Sequence, residues 1–178
     1  MQSAWPEGIT YSADMLSNED LSSLYDEYKI LNQIQTALLE EDVKPETLLP
    51  YAKEYVQIVE NRMEQNPEYV KKELARETME GTATYVGIQA SKIAGYDFGV
   101  MYFDNIKNVP FSDLQRTIEA GSYNKQNLAD RIPYETGALL CLLMDALEVP
   151  DWQETLNQQT KENPITLFSI LSDFTKEL

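Results

Sequence analysis

The chain contains no histidine, which removes the commonest general base and the commonest zinc ligand together. A Ser/His/Asp triad, a Cys/His pair and a histidine-based metal site are therefore excluded within this sequence. The single cysteine, Cys141, lies in the apolar run 138–144 and is predicted to be a small buried side chain rather than a nucleophile. One cysteine allows no disulfide within the chain, so cysteine usage leaves the compartment undecided.

Long apolar runs are also missing, since no stretch reaches the ~18–20 residues needed to cross a bilayer. The N-terminus has neither the basic start nor the apolar run of a signal peptide, so a cytoplasmic location is the default expectation. The chain opens with a loop around Trp5-Pro6 and no element before it. This opening favours the downstream part of a longer protein.

Positive charge is scarce, because 14 Lys and Arg stand against 30 Asp and Glu, giving a formal net charge of −16. Phosphate binding needs clustered Lys and Arg, so this balance argues against nucleic acid and anionic membrane surfaces as partners. High solubility is its simplest consequence. The 178 residues are enough for one domain with a core, and 43% apolar content is ordinary for a globular protein.

Helical patterns fill most of the chain, and we find no convincing strand pattern, internal repeat or low-complexity tract. The prediction is one all-α domain over residues 1–178, an irregular bundle of six to eight helices behind an irregular lead-in at 1–16. The predicted helices begin near Ser17, Pro45, Pro67, Asp113, Asn124, Pro133, Trp152 and Pro164.

The longest predicted helix, 67–94, carries a polar stretch near the middle of the chain. Glu73, Glu77 and Glu80 fall at i, i+4 and i+7, so they share one helix stripe. Gly81 follows, and an interior glycine costs a helix roughly 0.5–1 kcal/mol relative to alanine, so it usually marks a close approach. A carboxylate held there can serve a metal or a polar partner. From Thr78 onward, apolar and small residues spread round the helix, which predicts that neighbouring helices enclose it.

Two stretches resemble a known family. Residues 79–85, Met-Glu-Gly-Thr-Ala-Thr-Tyr, are similar to the Asn-Glu-Gly-x-Ala-x-Tyr helix of the gluzincins, the zinc metallopeptidases with a glutamate ligand. Residues 134–138, Tyr-Glu-Thr-Gly-Ala, are similar to the Tyr-x-x-Gly-Ala helix of the zinc aminopeptidases in that family. The two stretches stand in the family's order, and the resemblance covers about residues 67–147.

The resemblance implies that Glu80 is the third zinc ligand, that Tyr134 stabilises the oxyanion, and that Glu77 is a carboxylate behind the metal ligand. It implies peptide-bond hydrolysis by a zinc-activated water in an intact protein. The family's His-Glu-x-x-His helix is missing here. We therefore expect a C-terminal or degenerate part of a metallopeptidase-like protein. The chain alone should have no cofactor and no activity. Zinc and a peptide substrate should bind only if an upstream segment supplies the missing His-Glu-x-x-His helix.

Simpler roles stay open for each of these residues. Glu80 can pair with Arg76 one turn earlier or face solvent, and Tyr134 can pack or cap locally. Glu77 can instead be a surface carboxylate, and Glu73 is expected at the surface. If Glu77 and Glu80 are both buried, one of them should have a raised pKa, because like charges at that spacing disfavour the ionisation of both. The alternative function is a non-catalytic acidic module that binds a partner or forms a homo-oligomer through an exposed groove.

Overall fold

The computed structural model describes residues 9–103, 105–160 and 162–178. Over these ranges the chain forms eight α-helices and no β-strand, with one isolated bridge between Phe103 and Ile106. The all-α prediction is therefore confirmed. The predicted lead-in lies outside the described residues as far as residue 8, and from residue 9 it contains a 3-10 turn, Ala13–Met15.

Helix boundaries follow capping signals in the local sequence. Ser17 and Asp20 form a reciprocal capping box at the start of the first helix, and Gly95 ends the third at a φ of 76°, where a side chain would be strained. The helices are α1 (Asn18–Ala37), α2 (Pro45–Gln65), α3 (Pro67–Ala94), α4 (Asp113–Glu119), α5 (Asn127–Asp130), α6 (Ile132–Ala146), α7 (Trp152–Asn157) and α8 (Leu167–Glu177).

The core lies between α1, α2, α3 and α6, and α8 packs across α2, α3 and α6. Cys141 is buried there as predicted. Thr78 of α3 joins α8 to the bundle, because its hydroxyl accepts the N–H of Leu167 at 3.1 Å and donates to the Leu74 carbonyl at 2.8 Å. None of the described helices is both long enough and apolar enough to cross a membrane.

Helices α3 and α6 cross where Gly81 meets Gly137. A methyl group on Gly81 would lie 2.3 Å from the Cα of Gly137, and one on Gly137 would lie 2.1 Å from the carbonyl oxygen of Glu77. Both separations are far below the ~3.5–4 Å of ordinary contact between carbon atoms, and the opposing atoms are backbone. The prediction that Gly81 marks a close approach is therefore confirmed.

The second half of α3 is not enclosed, so that expectation was wrong. Ile88 is buried, but Val86 is 63% exposed and Ile93 is 89% exposed. The last turn of α6 meets α3 at Tyr85, whose hydroxyl donates to Asp145 at 2.6 Å. Ala83 and Val86 are exposed on turns beside that contact, whereas Ile88 is buried, so the exposed residues lie on another face of α3. An apolar pattern that spreads round a helix cannot report which of its faces a neighbour covers.

Replacing Gly81 with alanine is expected to lower the free energy of unfolding by about 2–3 kcal/mol, because the methyl group has no space against the backbone of Gly137. Gly87→Ala is the control, since its methyl would meet only a ring carbon of Phe98 at 3.9 Å. That variant should be neutral or gain up to about 1 kcal/mol of helix propensity. Urea denaturation measures both, and equal effects would contradict the close crossing.

Candidate functional site

The glycine crossing brings Glu80 and Tyr134 together. Glu80 directly precedes Gly81 on α3, and Tyr134 lies one turn before Gly137 on α6. Burial raises the pKa of the Tyr134 hydroxyl, and its contact with the Glu80 carboxylate raises that pKa further. Both side chains are half-buried, so this carboxylate and phenol form one site that solvent can reach.

Two arginines lie over the ring of Tyr134, and neither contact was predicted. The guanidinium carbon of Arg76 lies 6.0 Å from the ring centre, and that of Arg131 lies 5.6 Å from it. Both distances fall within cation–π range. Arg76 also lowers the pKa of the Tyr134 hydroxyl and so partly offsets the effect of Glu80.

Arg76 is held by backbone oxygens rather than by Glu80. Its guanidinium donates to the carbonyls of Ile9 at 3.3 Å and Asp130 at 3.4 Å. Within the described part of the chain no ion pair joins Arg76 to Glu80, although their spacing of one helix turn allows it. The arginine therefore connects the lead-in and the end of α5 to the helix that carries Glu80.

The first turn of α6 is anchored through Arg131 and Glu135. These two side chains form an ion pair, and the second carboxylate oxygen of Glu135 accepts the N–H of Met101 at 2.5 Å. Burial raises the pKa of Glu135, whereas the Arg131 charge lowers it. Arg131 also lies over the ring of Phe103, at 5.4 Å from its centre. Tyr134 lies in this first turn, so the anchoring on both sides of it restricts how the phenol can move.

Glu77 enters the core instead of the site around Glu80. It is 2% exposed, and its Oε2 atom has no hydrogen-bond partner among the described residues. Burial raises the pKa of Glu77 well above its usual range, and the charge of Glu27 adds to this, while contact with the Thr136 hydroxyl lowers it. Glu80 is only half-buried, so the raised pKa of Glu77 is due to burial and to Glu27 rather than to Glu80.

Glu73 is buried as well, so the expectation of a surface position was wrong. It is 6% exposed, and its Oε2 lies 2.7 Å from Nη2 of Arg62 on α2. That approach is an ion-pair contact, although its direction falls outside hydrogen-bond geometry. The other Arg62 nitrogen, Nη1, pairs with Glu27 of α1. A charged stripe on one helix cannot reveal a counter-charge that a different helix supplies.

The residues present do not fit a complete zinc site. Catalytic zinc takes three protein ligands, and the described ranges contain no cluster of three or more His, Cys, Asp or Glu that could hold a metal ion. The sequence has no histidine to add. Glu80 can therefore supply at most one ligand of such a site.

Comparison of the chain with protein-family models, with curated proteins and with solved structures gave no match. The likeness to the gluzincins therefore depends on residues 79–85 and 134–138 and on the contact between Glu80 and Tyr134.

Replacing Arg62 with methionine is expected to lower the free energy of unfolding by about 3–5 kcal/mol, because the buried carboxylates of Glu27 and Glu73 lose their counter-charge. Arg116→Met is the control, since Arg116 pairs with Asp113 at the surface and its loss should cost less than about 1 kcal/mol. Urea denaturation at pH 7 compares the two. Similar small losses would contradict a structural role for the buried ion pairs.

Proposed function

We propose that the chain is the helical part of a metallopeptidase-like site of the gluzincin kind. In this role Glu80 is a metal-ligand carboxylate and Tyr134 is an oxyanion-stabilising hydroxyl. The observation that carries the proposal is the contact between these two side chains beside the Gly81–Gly137 crossing. The two motifs that resemble the family contain these same two residues, and the glycines of those motifs make the crossing.

The surroundings of the two side chains suit these roles. Glu80 stands on a helix of 28 residues whose position is fixed at the next residue, Gly81. The guanidinium groups of Arg76 and Arg131 both lie over the ring of Tyr134. A hydroxyl kept in place can donate a hydrogen bond to the charge that develops on a carbonyl oxygen during acyl transfer, which is how preorganised donors lower a barrier.

No hydrolysis is expected from this chain by itself. A glutamate-ligand zinc site needs two further ligands and a general base, and this sequence lacks the His-Glu-x-x-His helix that provides them in the family. The site proposed for this chain is therefore incomplete, and a second segment or chain would have to complete it.

A second function, a non-catalytic interaction or oligomerisation module, is favoured by a different observation. The second half of α3 presents an exposed apolar face that starts one turn after Glu80. Val86 is 63% exposed and Ile93 is 89% exposed, and Ala83 and Ala90 lie beside them. Exposed apolar faces of this kind often mark surfaces that bind a partner helix. This function would need neither Glu80 nor the tyrosine.

Zinc titration separates the two functions. The chain alone should bind zinc no tighter than about micromolar, because one carboxylate does not hold the metal. A helical peptide containing His-Glu-x-x-His should bind zinc about tenfold more tightly or better in the presence of the chain, because Glu80 adds a third ligand. Isothermal titration calorimetry measures both affinities.

The Glu80→Gln variant should lose this gain in zinc affinity. Glu68→Gln, which alters an exposed glutamate on the same helix, should keep it. A tight one-to-one zinc site in the chain alone would show that the site is not incomplete. If the peptide binds zinc equally well with and without the chain, the interaction module becomes the better account.

A further inference from the structure

A buried charged cluster lies between α1, α2 and α3, and neither proposed function uses it. We call it the acid cluster, and its members are Glu27 of α1, Arg62 of α2, and Glu73 and Glu77 of α3. Each of the four residues is at most 6% exposed. Three carboxylates against one guanidinium would leave two uncompensated negative charges (3 − 1 = 2) if all were ionised.

Tyrosine side chains surround the acid cluster. Three of them bury hydroxyls that have no hydrogen-bond partner within the described residues. A phenol can donate one hydrogen bond to a carboxylate, but it brings no positive charge to balance an ion. The four tyrosines that interact electrostatically with the cluster are Tyr11, Tyr28, Tyr55 and Tyr69.

Glu77 is the carboxylate of the cluster that has no ion-pair contact in the described structure. Glu27 and Glu73 contact Arg62 directly, whereas Arg62 acts on Glu77 only as the weakest influence on its pKa. The charged residues of the packed helix α8 are exposed and turned away from it. The groups that face Glu77 are Tyr11 of the lead-in, Glu27 of α1, Tyr55 and Arg62 of α2, Glu73 of α3, and Thr136 and Cys141 of α6.

Glu77 also stands at the α3–α6 crossing. Its carbonyl oxygen is the backbone atom that a methyl group on Gly137 would approach to 2.1 Å, and its side chain enters the acid cluster. The hydroxyl of Thr136, next to Gly137, contacts the same carboxylate. A charge on Glu77 would therefore act directly on the contact that sets Glu80 beside Tyr134.

We propose that Glu77 is a proton-controlled latch on the α3–α6 crossing, which is closed while Glu77 carries a proton and loosens when Glu77 ionises. An ionised Glu77 would be buried beside two like charges that already share the nearest cation. Such a charge is too costly to keep in a dry core, so the core must open to admit water. The latch follows from the cluster and the crossing, and it stands whether or not the proposed function is correct.

The direction of the pH effect follows from burial. Burial raises the pKa of Glu77 well above its usual range, and it raises the pKa of Glu73 to about 7 against the opposing effect of Arg62. A carboxyl with a raised folded pKa contributes its full stability below the unfolded value of about 4.5 and loses it as pH rises toward the folded value. Stability should therefore fall as pH rises from about 5 upward.

Denaturation of the wild-type and Glu77→Gln chains between about pH 5 and pH 8.5 tests the latch. Glutamine has nearly the shape of protonated glutamate but cannot ionise. The two chains should have similar unfolding constants near pH 5. With each further pH unit, up to the folded pKa of Glu77, the wild-type unfolding constant should rise by up to about tenfold relative to the variant. Glu64→Gln, at an exposed position on α2, should follow the wild type.

Hydrogen exchange locates the opening. Protection factors of the amides at 78–82 and 136–140 should fall with rising pH in the wild type and fall by less in Glu77→Gln, where the raised pKa of Glu73 still contributes. The latch would be overturned if the unfolding constants of the two chains changed in parallel with pH. It would also be overturned if the variant were less stable than the wild type by the same amount at every pH. If the variant does not fold, the carboxyl ¹³C shift of Glu77 in the wild type decides, since the latch requires a protonated group at pH 7 and an ionised one refutes it.

Discussion

The contact between Gly81 and Gly137 is the constraint on which the rest of the structure depends. Two helix backbones approach there so closely that no side chain fits between them. Such a contact fixes both the rotation and the relative height of α3 and α6, because any change in either would bring larger residues into the gap. Glu80 and Tyr134, one and three residues away, face each other because of this packing and need no attraction of their own.

The crossing also places a closely packed contact beside a poorly compensated group of charges. Glu80 is half-buried and contacts Tyr134, whereas Glu77 and Glu73, one and two turns earlier on the same stripe of α3, belong to the acid cluster, which carries more carboxylates than cations. Close-packed interiors transmit strain instead of absorbing it. Under the proposed latch, a change of charge on Glu77 therefore reaches Glu80 through a single turn of α3.

Local signals in the sequence were enough to predict the helices and the close approach at Gly81. The capping box at Ser17 and the left-handed Gly95 act within a few residues, so they can be read from the chain directly. The prediction that Glu80 and Tyr134 lie close together came only from the resemblance, because helix periodicity does not say which helices touch. Burial of Glu73 was missed since its partner, Arg62, comes from another helix. Exposure of Val86 and Ile93 was missed since it depends on which faces of α3 other helices cover.

The crossing can be measured directly by NMR in a chain that is deuterated at every Cα except those of its seven glycines. A close backbone contact predicts a strong nuclear Overhauser cross-peak between the Hα protons of Gly81 and Gly137. If both glycines are assigned and no cross-peak joins them, the helices do not cross there. The shared site of Glu80 and Tyr134 would then have no structural basis.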